Sequence, residues 1–169
     1  MAEDASLKLL LASAEMQAAA VAAIGAHVDV RAVWPLVSVN IWGREQLRVL
    51  VLTSEKLYRV RVDGTEAHVC ETHTLSQLKF VVKGYLCYPK RSIINALAGS
   101  DRSRMYAFRL YVSDSSEPHR TFRALELSDE MGMRSFVMQC VEELSAAAKH
   151  AGVRDFFISD HDITLSAWL

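Results

Sequence analysis

The chain is 169 residues long, which suits one domain with a terminal addition. Half of it is apolar (51%) and 23% is charged, so a disordered chain is excluded, and a net charge of −1 argues against a cationic surface for nucleic acid. Three widely spaced cysteines, Cys70, Cys87 and Cys140, make no disulfide framework, and a reducing, cytoplasmic setting follows.

In chain order, residues 5–26 are rich in Ala, Leu, Met and Glu and predict a helix within 1–27 that ends near Gly25. Its expected packing face is Leu7, Leu10, Leu11, Ala14, Ala18, Val21 and Ala22, which recur at three- and four-residue steps. The run is too alanine-rich for a membrane span, and its acidic start fits neither a signal peptide nor a mitochondrial presequence.

From Val33 the period changes to two. Val37, Val39 and Ile41 alternate with Ser38, Asn40 and Trp42, and Gly43-Arg44-Glu45 reads as a turn. Leu47–Leu52 is a nearly continuous apolar strand. Leu57–Val62 alternates Tyr58, Val60 and Val62 against Arg59 and Arg61, and Asp63-Gly64 is a hairpin signal into a strand over Glu66–Thr72. Residues 33–72 therefore predict a four-strand antiparallel meander.

A fifth strand follows at Leu78–Tyr85, with Leu78, Phe80 and Val82 on one face, Lys79, Val81 and Lys83 on the other, and Gly84 at a bend. Residues 89–104 predict a loop with a helical turn at 93–97. Met105–Val112 is a sixth strand with Tyr106, Phe108, Leu110 and Val112 inward, and Arg120–Leu127 a seventh with broken parity. Ser128 is the expected N-cap of a helix to about Ala151. Its stripe of Met133, Phe136, Val137, Cys140, Val141, Leu144, Ala147, Ala148 and Ala151 must be buried, and Met131, Met133 and Met138 are expected to fill core. The tail, 153–169, carries Phe156, Phe157, Ile158, Ile163, Leu165 and Trp168; it is expected to dock on its own domain, or else on a partner.

The fold class is α+β. About seven antiparallel strands capped by a C-terminal amphipathic helix, with an extra N-terminal helix, are the plan of a pleckstrin-homology-like (PH-like) barrel over residues 30–152. The stretch Leu47–Asp63 resembles the second and third strands of PH-like and GRAM-like domains. The segment Thr74–Gly84, with the N-terminal helix and first-strand Trp, resembles the PH-like homology domain of Sac-type inositol phosphatases and related small vesicle-associated proteins. The resemblance implies a non-catalytic adaptor in vesicle trafficking, recruited to membrane or protein and sometimes dimeric, with no cofactor. It departs from the phosphoinositide-binding pattern of Lys and paired Arg across the first two strands: only Arg44 and Arg48 stand there.

The small net charge conceals a strongly basic stretch. Residues 79–109 hold Lys79, Lys83, Lys90, Arg91, Arg102, Arg104 and Arg109 against Asp101 alone, a local +6. Of these Lys79, Lys83, Lys90, Arg91, Arg102 and Arg104 are the candidate anion or phospholipid patch, with Tyr85 and Tyr88 between them, either inserted at a lipid interface or packed beneath the loop. The expected function is recruitment to acidic phospholipid, including phosphoinositide, at a membrane periphery. The alternative is protein interaction with an acidic partner, or homodimerisation, through the N-terminal helix or through Phe156, Phe157 and Trp168. The cluster His68, Cys70 and His73 and the tail's Asp160-His161-Asp162 lack the spacing of a metal site or the company of a nucleophile motif, so no metal and no enzyme are expected.

Overall fold

The computed structural model describes residues 2–25, 28–88, 105–113 and 117–165, with side chains from residue 10 onward. Helix α1 spans Ala2–Ile24 and stops at Gly25, whose φ of 112° lies in the left-handed region. Four strands follow as the predicted meander: β1 (Val30–Val39), β2 (Glu45–Thr53), β3 (Lys56–Asp63) and β4 (Glu66–Thr74). A 3₁₀ turn at Leu75–Gln77 passes the chain to β5 (Leu78–Cys87). It is anchored by the Leu75 amide donating to the Glu55 carbonyl at 2.9 Å and the Thr74 amide donating to Gln77 Oε1 at 3.0 Å. Then come β6 (Tyr106–Val112), β7 (His119–Ala124) and helix α2 (Glu130–His150). Two short strands, β8 (Phe157–Asp160) and β9 (Ile163–Thr164), complete the described chain.

The strands make one curled sheet in the order β4-β3-β2-β1-β7-β6-β5-β8, with β9 also on β5. Every neighbour is antiparallel except β8 and β9, which run parallel to β5. The interior holds Trp34, Leu36, Leu50, Leu52, Leu57, Phe108, Leu110 and Phe122. Helix α2 covers it with most of the expected stripe: Val137, Cys140, Val141, Leu144, Ala147 and Ala148 are buried and Met133 and Phe136 half-buried, whereas Ala151, past the last helical turn, is exposed. Each such aliphatic side chain contributes roughly 1.5–3 kcal/mol on burial.

The near-continuous apolar run of β2 has a simple cause. Leu50 and Leu52 face the barrel interior, while Val49 and Val51 lie with Val60 beneath α1, so both faces of the strand are covered. A third cluster, Val37, Val39, Val82, Leu86, Ala107 and Leu125, is covered by Ile163 and Leu165 of the tail. Gly84 lets that tail cross β5: a β-carbon there would lie 1.9 Å from the His161 carbonyl oxygen. The tail therefore docks on its own domain and adds two strands to the seven expected.

Several expectations are corrected. Helix α1 packs through Ser13, Met16, Ala20 and Ile24, leaving Leu10 and Leu11 56% and 58% exposed. An alanine-rich helix has two nearly equivalent faces, so residue spacing alone does not choose between them. The N-cap of α2 is Asp129 rather than Ser128: its Oδ1 accepts from the Gly132 amide at 2.8 Å. Met131 and Met138 are exposed rather than core-filling. In β5 a register shift between Leu78 and Phe80 inverts the alternation. Leu78 and Val81 share the interior, Phe80 and Val82 join the third cluster, and Lys79 and Lys83 do not form one outward face. The loop and helical turn expected at 89–104 lie outside the described residues.

Candidate functional site

The most chemically distinctive region lies where strand ends and turns bring several cations together around the mouth of one groove. The β1–β2 turn is held by Asn40, whose Oδ1 accepts from the amides of Trp42 (3.0 Å) and Arg44 (2.9 Å). Gly43 sits at its apex with φ 82°, which an L side chain rarely adopts. The turn leaves Trp42 65% exposed and Arg44 exposed, with no hydrogen bond or ion pair on the Arg44 side chain among the described residues.

Inside the mouth sits a carboxylate. Glu71 on β4 has its Oε2 2.8 Å from Arg120 Nε of β7 and 3.2 Å from Arg59 Nε of β3, and its Oε1 2.9 Å from His73 Nε2. Strands β4 and β7 are separated in the sheet by β3, β2 and β1, so the Arg120 contact spans the curled barrel. Burial alone would raise the Glu71 carboxyl, but hydrogen bonds from His73 and Arg120 outweigh it and hold the group at about 2. Desolvation and the neighbouring Arg120 lower Arg59, whose Nε is buried. An arginine keeps its charge regardless, so the mouth stays cationic. Arg48 adds a fourth guanidinium, donating to the Leu47 carbonyl at 2.7 Å and to Gln46 Oε1 at 2.8 Å.

Above this cluster opens a groove of about 570 Å³, lined by Trp42, Arg44, Arg59, Glu117, His119 and Arg120 among others. Its size suits a small ligand or headgroup. Burial, reinforced by Arg109, lowers His119 and so favours its neutral form. Glu117, just ahead of β7, is paired with Arg120 Nη1. The site can hold an anion through guanidinium hydrogen bonds.

The residues expected from sequence are placed differently. Lys79 is exposed. Lys83 is bound to Asp160 of β8, a hydrogen bond that raises its ammonium above the usual lysine range. Lys90, Arg91, Arg102 and Arg104 lie outside the described residues, as does Trp168. Tyr85 and Tyr88 both turn inward: Tyr85 packs edge-on against Tyr106, and Tyr88 Oη donates to Glu45 Oε1 at 2.6 Å. Phe156 is buried, which corrects its assignment to an interaction surface, while Phe157 is 52% exposed and stacks on Phe80 at 4.8 Å. His68 and Cys70 are exposed whereas His73 faces Glu71, so the three diverge. Ser159 Oγ lies 2.6 Å from His161 Nε2 on the exposed tail, and Asp160 is taken by Lys83. Arg59 and Arg120 are the site residues that sequence reasoning missed. Each looks like an ordinary charge on an alternating strand, and nothing local marks it.

This architecture, a curled, mostly antiparallel sheet covered by a C-terminal helix, is a PH-like fold. In particular, it matches the hSac2 domain from the human phosphoinositide phosphatase Sac2, with 17% identity, 94% of this chain and 93% of that one covered, and a TM-score of 0.63. Weaker likenesses include the Slm1-PH domain (14% identity, 70% of this chain and 97% of that one, TM-score 0.46) and Vav1 (13% identity, 73% and 28%, TM-score 0.46). No protein-family model matches the chain, and no curated protein does. Among the described residues no helix is long and apolar enough to cross a membrane.

Proposed function

We propose that the chain is a non-enzymatic PH-like module, cytoplasmic and peripheral to membranes, that recruits to acidic phospholipid through its arginine-lined mouth. The observation that carries this reading is the convergence of Arg44, Arg59 and Arg120 on one groove from three separate elements. Guanidinium groups hydrogen-bond phosphate oxygens in pairs, and a fixed cluster of them binds more than a diffuse patch of the same charge. Trp42 beside Arg44 adds an amphipathic ring suited to the headgroup layer. The basic stretch contributes long-range attraction through Lys79, Lys90, Arg91, Arg102 and Arg104; Lys83 is committed to Asp160. Docking of the tail on its own barrel counts against the tail as a dimerisation or partner surface.

Sedimentation with phosphatidylcholine vesicles, with and without phosphatidylserine or a phosphoinositide, tests this. Each cation at an anionic surface is worth about 1 kcal/mol, so reversing Arg44 to Glu weakens binding about thirtyfold. Lys79→Glu costs less, because that residue lies outside the groove. Binding equal to wild type in Arg44→Glu sinks the groove as the cause, and a larger loss in Lys79→Glu moves the site to the basic stretch.

A further inference from the structure

The groove lined by Arg44, Arg59 and Arg120 also holds a group that can change its charge near neutral pH. Among the described residues His119, at the start of β7, is the only histidine on that lining. Its ring lies 5.4 Å from that of Tyr111, its cross-strand partner on β6. Several charged groups surround it. Arg109 comes from β6, Glu117 and Arg120 flank it in the chain, and Arg44 of the β1–β2 turn and Arg59 of β3 share the lining. From β1 and β2 the lining takes only Ser38, Val39 and Gln46, which are uncharged. Arg109 is fixed in place: its Nε donates to Thr121 Oγ1 at 2.8 Å, and an outer nitrogen donates to the Thr164 carbonyl of the tail at 3.3 Å. Burial and this anchored cation lower His119 from its usual 6.5, so its surroundings favour the neutral imidazole.

We propose that His119 is a proton-linked ligand of the groove: an anion bound beside Arg44 and Arg59 draws a proton onto the imidazole, which then serves as a further cationic donor. The inference rests on the reading of the groove as an anion site. An entering anion offsets the field of the guanidinium groups and favours the charged imidazole. Protonation in turn gives the ring a donor at both nitrogens rather than one. Coupling between two ligands is reciprocal, so the factor by which the anion favours the proton is the factor by which the proton favours the anion. His119 is lowered without the anion and raised with it. Affinity is therefore highest at low pH and falls as pH rises through the anion-bound midpoint. An opposite charge nearby moves a titrating group by about one to three pH units, and less where water reaches the site. A rise of about half to one pH unit corresponds to about a three- to tenfold gain in affinity.

Sulfate is the probe for a free anion, because it stays a dianion between pH 5.5 and 8 and cannot itself supply the pH dependence. Phosphatidylcholine vesicles containing phosphatidylglycerol, whose phosphodiester does not titrate there either, are the probe for a lipid surface. Both are bound to the full chain and to His119→Asn at the two pH values, and the histidine resonances are followed by NMR with and without sulfate. Wild type should bind sulfate about three- to tenfold more tightly at pH 5.5 than at pH 8, and His119→Asn should lose that gain. The His119 midpoint should rise with sulfate while that of exposed His68 stays in place. Equal sulfate affinity at the two pH values in wild type overturns the coupling and leaves the anion site intact. A gain that survives in His119→Asn also overturns it and moves the proton to another group. Absence of binding to sulfate and vesicles at either pH removes the anion reading and this inference together. A gain with sulfate but not with vesicles upholds the coupling and removes the membrane as the source of the anion.

Discussion

Replacing Glu71 by Gln keeps the shape of the side chain and removes the charge that Arg59, His73 and Arg120 share. The carboxyl titrates at about 2 in the folded protein against 4.5 in a free side chain. A group depressed in the fold stabilises it fully above the unfolded value, and that stability drains away as pH falls from 4.5 toward 2. At 1.36 kcal/mol per unit, the charge is worth at most about 3.4 kcal/mol at pH 7 and about 1.4 kcal/mol at pH 3. Urea denaturation of both proteins at the two pH values measures this. The expected outcome is a large penalty for Glu71→Gln at neutral pH that falls to about 40% of that value at pH 3. A penalty below about 0.5 kcal/mol at pH 7, or one that does not change with pH, refutes the account of Glu71 as a charged keystone of the mouth.

Gly84→Ala places a methyl group 1.9 Å from the His161 carbonyl, a backbone clash that no rotamer relieves, so the tail should lift from β5. Limited proteolysis should then cut within 153–165; a wild-type cleavage pattern with unchanged stability counts against the crossing. The thiols should separate in reactivity. Exposed Cys70 should react with a thiol reagent at once and half-buried Cys87 slowly, while Cys140, whose thiol burial pushes well up, should react only on unfolding. Modification of native Cys140 at the rate of Cys70 would contradict the packing of α2. Asp129→Ala should cost about 1 kcal/mol in thermal or urea denaturation by removing the cap on Gly132, whereas Ser128→Ala should cost less; equal effects would return the cap to Ser128.

Much of the fold was legible because it is written in local periods. The two-residue alternation of Tyr106, Phe108, Leu110 and Val112 and the three- and four-residue stripe from Val137 to Ala148 each select a face without outside help. Where the local signal is degenerate, tertiary contacts chose. The alanine surface of α1 offers two similar faces, and Val49, Val51 and Val60 took the one bearing Ala20. The register shift at Lys79 reversed every side chain after it, which composition could not foretell.

The same division governs function. The basic excess of residues 79–109, hidden within a net charge of −1, is a property of the sequence alone. The arginine mouth is a property of the closed sheet. Arg44, Arg59 and Arg120 stand far apart in the chain, and each is an unremarkable strand or turn cation. Only the curl that carries β7 over toward β4 lets one half-buried carboxylate, Glu71, gather two of them beside a common groove. Charge content is additive along a chain, but charge convergence depends on distance through space, and distance is what folding decides.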